Sequence, residues 1–153
     1  MEKPSKIKKN YSGNVKKSIL IKKSREVVWK KISNISDLSW LVDEKNTVYF
    51  SKTKRGVGAI RNITFKDGNQ IEEHIVSWNN KKYFSYVAVT GLPLRVYHAT
   101  ISINPQTTKT TKVTWQLYLN SKKMSKREFN EFVSSIQSFY EISLKNLKLK
   151  LEK

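Results

Sequence analysis

IRNITFKDGNQIEEHIVSW, residues 60–78, holds two alternating runs of β-branched and aromatic side chains around Asp67-Gly68. Period-two alternation across an Asp-Gly pair is a strong local signal for an antiparallel hairpin. Arg61 and Glu73 stand at nearly matched distances from that turn. A hairpin therefore sets them opposite each other as a cross-strand pair. In the first run Ile63 and Phe65 share the parity of Arg61, against Ile60, Asn62 and Thr64. In the second, Glu73, Ile75 and Ser77 share one face, against Glu72, His74 and Val76.

The same period continues on both sides. Residues 48–53, 57–65, 70–78, 83–89, 95–103 and 110–119 read as strands. Lys54-Arg55-Gly56, Asp67-Gly68-Asn69, Asn79-Asn80-Lys81 and Asn104-Pro105-Gln106 supply the turns between runs. Before this meander, residues 15–21 alternate around Ile19 and Ile21 as a first strand. Ser24 then N-caps a helix over 25–33, with Glu26 in its first turn and Val28, Trp29 and Ile32 as its apolar stripe. Residues 35–41 predict a second short helix. After the meander, Ser125 with Glu128 three residues on forms a capping box. Phe129, Phe132, Val133, Ile136, Phe139, Tyr140, Leu144, Leu147 and Leu151 then recur at helical spacing. A stripe that wide needs a matching concave surface. The expectation is an α+β fold, with a curved seven-stranded antiparallel sheet around a long C-terminal helix and two short helices after the first strand.

Composition bounds the rest. A chain of 153 residues, 38% of them hydrophobic, supports one domain with one core. That domain is expected over 15–153, with 1–14 as a basic, flexible tail. The absence of cysteine excludes disulfides, thiolate metal sites and a cysteine nucleophile, and makes a cytoplasmic location the default. No apolar run approaches the roughly 20 residues of a membrane span, and no signal-peptide core follows the N-terminus. Net charge is +18, spread along the chain and densest near the N-terminus. It reads as a solubilising surface or as an attraction for anions. Residues 3–23 interleave Lys with Ile7, Tyr11, Val15 and Ile19, which suits an anionic membrane surface. Nucleic acid is the less favoured partner, because none of the common recognition motifs is present.

Catalytic chemistry has few candidates. Serine, histidine and acid do not converge in any known triad spacing, no phosphate-binding glycine loop occurs, and no metal-ligand spacing stands out. No catalytic residue, metal or cofactor is assigned. His74 and His98 fall on outward parity. Glu73 serves as a base only if burial raises its pKa, and a neighbouring Arg61 works against that.

Glu26-Val27-Val28-Trp29, Trp40, Gly58-Ala59-Ile60-Arg61, Glu73, Tyr86, Gly91-Leu92-Pro93, Tyr97, Thr114-Trp115 and residues 144–151 follow one another in a familiar order. In that order they resemble the START-like SRPBCC superfamily and its helix-grip fold, over residues 15–151. Within it the likeness is to the polyketide cyclase/dehydrase and lipid-transport group; plant abscisic-acid receptors are more distant. The resemblance implies a cavity between sheet and long helix that receives a hydrophobic molecule, in proteins that carry or sense lipids or act on polyketides. It also favours Arg61 inward. Together with alternation, this gives a ligand-binding wall of Arg61, Ile63, Phe65, Glu73, Tyr86, Tyr97 and Trp115. Ile136 and Tyr140 face it from the helix, and Leu92 and Pro93 stand at the mouth. The Arg61/Glu73 pair is then either a structural ion pair or an anchor for a ligand carboxylate, carbonyl or hydroxyl. The expected function is binding, transport or sensing of a small hydrophobic or amphipathic molecule, such as a lipid, polyketide or isoprenoid-like compound. A cyclase/dehydratase using the same cavity is the alternative, and a basic surface binder of nucleic acid or anionic membrane is the second.

Overall fold

The computed structural model describes residues 7–153. The expected flexible tail therefore lies partly, at 1–6, outside the described residues. The chain runs β1 (Ser12–Ile21), α1 (Arg25–Ile32), β2 (Glu44–Tyr49), β3 (Ile60–Phe65), β4 (Gln70–Asn79), β5 (Tyr83–Ala88), β6 (Leu94–Thr107), β7 (Thr110–Ser121) and α2 (Lys126–Leu151). The seven strands form one sheet in the order β1-β7-β6-β5-β4-β3-β2, every pairing antiparallel. The meander thus runs from β2 to β7, and β1 adds to its far edge. This is the expected α+β helix-grip architecture.

Both helix starts follow from local chemistry. Ser24 accepts the Val27 N–H ahead of α1. Ser125 and Glu128 make both halves of the capping box ahead of α2. These caps satisfy amide donors that a helix cannot pair internally. The core lies between α1, α2 and the inner face of the sheet, where Ile101, Val113, Leu117 and Leu119 meet Ile32, Leu144 and Leu147. Along α2 burial is uneven. Tyr140, Ser143, Leu144 and Leu147 are sealed in, whereas Phe132, Val133, Ile136 and Phe139 in the preceding turns are only half-buried.

The structure corrects five expectations. No second helix forms over 35–41. Three successive turns close instead, with Asp37, Leu41 and Glu44 N–H groups donating to the Asn34, Leu38 and Leu41 carbonyls. Ser36 donates to Asn34 and Ser39 to Asp37 within the same segment. Such short polar side chains offer local partners that compete with a helix. The second strand lies at Glu44–Tyr49 rather than 48–53; it is an edge strand, and Val48 within it and Phe50 just past its end are exposed, so their apolar character does not mark the buried face. The third begins at Ile60 rather than 57, since Gly58 takes φ +95° and breaks the extended run. Asn104-Pro105-Gln106 belongs to β6, at an irregular register near its end where a proline is tolerated. Finally, β1 starts at Ser12, and Lys9 exchanges backbone hydrogen bonds with Met124, so pairing reaches into the segment expected as tail.

Two glycines at turns carry different loads. Gly68 has φ +90° with open space where a Cβ would stand. Gly91 has φ +89°, and a Cβ there would meet the Gln70 carbonyl oxygen at 2.1 Å. Gly68→Ala is expected to cost roughly 1–2 kcal/mol, the strain of a left-handed residue. Gly91→Ala is expected to cost clearly more, because β4 must also shift; urea denaturation of both variants checks the order.

Candidate ligand cavity

Register does place Arg61 directly opposite Glu73. Arg61 Nε donates to Glu73 Oε1 at 2.9 Å, and Nη2 lies 2.8 Å from the same oxygen in an ion pair. Arg61 Nη1 donates to the Ile35 carbonyl at 3.1 Å, and the guanidinium lies 4.8 Å from the Tyr86 ring centre. The two side chains are almost withdrawn from water, at 4% and 5% exposure. Burial lifts the Glu73 carboxyl above its ordinary value, against the pull of the adjacent guanidinium.

Phenols and indoles continue the wall. Trp115 Nε1 donates to the Tyr86 hydroxyl at 3.0 Å. The Tyr97 and Tyr140 hydroxyls are hydrogen-bonded to each other. Burial pushes all three phenols up, so they remain protonated at neutral pH and act as hydrogen-bonding groups rather than bases. The turns between α1 and β2 supply Trp40, packed edge-on to Trp115 at 5.6 Å between ring centres. Its Nε1 is buried without a hydrogen-bond partner. Two bonds fasten those turns to α2: Val42 N–H donates to Ser143 Oγ, and Asn146 Nδ2 to the Trp40 carbonyl.

Between these elements lies a cavity of about 660 Å³. Its body is apolar and aromatic. Asp43, Lys66, Asp67 and Asn69 stand among its walls as the exposed, polar part. Arg61, Ile63, Phe65, Glu73, Tyr86, Leu92, Tyr97, Trp115 and Ile136 line it, as the sequence suggested. Two of the named residues do not. Pro93 is exposed, and its carbonyl is turned to the Lys122 N–H. Tyr140 is fully buried behind Trp115, the two rings stacked at 3.7 Å, so it backs the wall without facing the space. Phe84 and Ile101, on inward strand parity, line it too, and residues not expected there include Ile32, Leu38, Trp40, Leu41 and Phe139. Phe139 had the right helical spacing; Leu38 and Leu41 had the spacing of a helix, a signal that misleads in irregular turns. The histidines lie on the outer face. His74 sits 2.6 Å from the Glu72 carboxylate, and His98 is exposed. Ile75 and Ser77 bracket a bulge in β4, which turns Trp78 inward onto Phe84 and Trp29.

An antiparallel sheet gripping a long helix over an apolar cavity defines the helix-grip class, the START-like SRPBCC proteins. Within that class the chain belongs to the family described as polyketide cyclase / dehydrase and lipid transport, which matches residues 12–152. Solved structures share the fold. An uncharacterised protein from Bacillus thuringiensis superimposes with a TM-score of 0.79 at 23% identity, over 92% of this chain and 100% of that one. The Zhui aromatase/cyclase from a Streptomyces species gives 0.80 at 8% identity, over 93% and 94%. A START superfamily protein from Mycobacterium smegmatis gives 0.75 at 14% identity, over 91% and 97%. No curated protein sequence matches the chain. No helix among the described residues is long and apolar enough to cross a membrane.

The ion pair yields two predictions. Removing one partner leaves a buried charge alone, so Arg61→Leu is expected to cost about 3–5 kcal/mol. The double variant Arg61→Leu/Glu73→Leu is expected to be milder than that single change; denaturant unfolding of both variants checks it. The second concerns pH. Without Arg61, the Glu73 carboxyl has nothing opposing its rise. A carboxyl raised in the folded state adds stability below its unfolded pKa and loses it as pH climbs through the folded one. The Arg61→Leu deficit is therefore expected to be smaller near about pH 5 than near about pH 8, read from thermal midpoints against the parent chain.

Proposed function

We propose that the chain binds and carries a small, neutral, amphipathic molecule of lipid, polyketide or isoprenoid-like character. The observation that carries this reading is an aromatic cavity of about 660 Å³ whose single buried ion pair neutralises itself. That volume lies within the range of small-molecule sites. Three Arg61 nitrogens are already engaged, and an entering carboxylate would meet the Glu73 charge as well as the guanidinium. Arg61 Nε and Nη2 both lie on Oε1, which leaves Glu73 Oε2 to accept from a ligand hydroxyl. Family membership and the fold neighbours support a hydrophobic ligand.

A cyclase/dehydratase reading has one specific support, a Glu73 carboxyl in the cavity wall that burial raises above its ordinary value. A carboxyl whose pKa burial raises is a better proton donor and acceptor near neutral pH than a free one. Native mass spectrometry after exposure to a host lipid extract separates the two readings. A carrier releases its ligand at unchanged mass. A dehydrating cyclase releases a species lighter by one water.

The neutral preference is directly measurable. By titration calorimetry at neutral pH, 2-naphthol is expected to bind at least about tenfold tighter than 2-naphthoate, a difference of about 1.4 kcal/mol. Equal affinity, or a preference for the acid, would remove the neutral-ligand reading.

A further inference from the structure

Three segments meet at the end of the sheet where β7 passes into α2. Lys9 and Met124 exchange backbone hydrogen bonds at 2.9 Å each way. Lys122 N–H donates to the Pro93 carbonyl at 3.1 Å. Lys126 Nζ lies 5.0 Å from the Tyr11 ring centre, and Arg95 Nε donates to Asn120 at 2.8 Å. These contacts bring Lys8, Lys9, Arg95, Lys122, Lys123, Lys126 and Arg127 onto one continuous surface, all exposed. The acids on the same segments are Glu128, engaged in the helix cap, and Glu131, paired with Arg127. Apolar groups stand among the cations. Ile7 is 40% exposed, Pro93 is exposed, and half-buried Leu92 reaches from the same loop into the cavity wall.

We propose that this basic, partly apolar end docks on an anionic lipid bilayer and brings the Leu92 side of the cavity against the lipid. A phosphate-rich, negatively charged surface is the complement of such a cluster, and the exposed Ile7 and Pro93 can enter its headgroup layer. A nucleic acid would use the charge and leave the apolar groups without a partner. The cations at the opposite end, among them Lys81, Lys82 and Lys109, lie on separate turns. They supply an internal control of equal charge.

The test is sedimentation with vesicles of phosphatidylcholine alone or with about 30% phosphatidylglycerol. The full chain is compared with two triple variants: Lys8→Gln/Lys122→Gln/Lys123→Gln, and Lys81→Gln/Lys82→Gln/Lys109→Gln. All substituted side chains are exposed, and matched thermal melts confirm that both variants fold. The full chain is expected to bind the anionic vesicles, weakly the neutral ones, and less at high salt. The first variant is expected to lose at least about tenfold in partitioning, and the second to lose far less. Equal loss in the two variants would mean that net charge alone acts. Failure of the full chain to bind anionic vesicles, or tighter binding to a random RNA oligomer, would also overturn the proposal.

Discussion

Two opposite charges withdrawn from water, Arg61 and Glu73, hold the arrangement on which the cavity depends. Neither side chain can be buried alone at acceptable cost, so each requires the other at hydrogen-bonding distance. Their facing positions pin the register of β3 on β4. A slip of one residue in either strand would turn that strand's charge to the outer face and leave its partner alone on the inner one. The third Arg61 bond reaches the Ile35 carbonyl and so fixes the irregular turns ahead of β2. Those turns are fastened in turn to α2 through Ser143 and Asn146. A line of polar contacts thus runs from hairpin to helix, and it spans a space that side chains leave open.

The fold was legible because it rests on periodicity. Strand alternation, the Asp67-Gly68 turn and the Ser125/Glu128 box are local signals, and each matches its structural element. The inner wall was legible for the same reason, since parity alone separates Trp115 and Tyr97 from their outward neighbours. What was illegible is backbone without regular structure. The turns over 34–43 contribute Leu38, Trp40 and Leu41 to the cavity, yet their apolar spacing mimics a helix. Tyr140 shows a second limit. Helical spacing says that a residue faces inward; whether it faces a void or another ring depends on a neighbour, here Trp115, that only the assembled fold supplies.

Charge is sorted by depth. The chain carries +18 overall, while the buried part of its cavity wall holds one balanced pair among aromatic rings. The phenols that line or back it stay neutral because burial holds their protons. The exterior therefore governs which surfaces the protein approaches, and the interior responds to shape and hydrogen bonding. The two properties are separable by substitution, because Lys122 and Lys123 lie outside the walls that Arg61 and Glu73 belong to.

The four tryptophans fall into two pairs. Trp40 and Trp115 stand together on the cavity wall. Trp29 and Trp78 pack against each other away from it, with ring centres 5.5 Å apart and the Trp29 indole N–H held by Asn80. An occupant would alter the surroundings of the first pair and leave those of the second in place. The chain thus contains its own optical gauge of occupancy, with two indoles that sense filling and two that serve as a built-in reference.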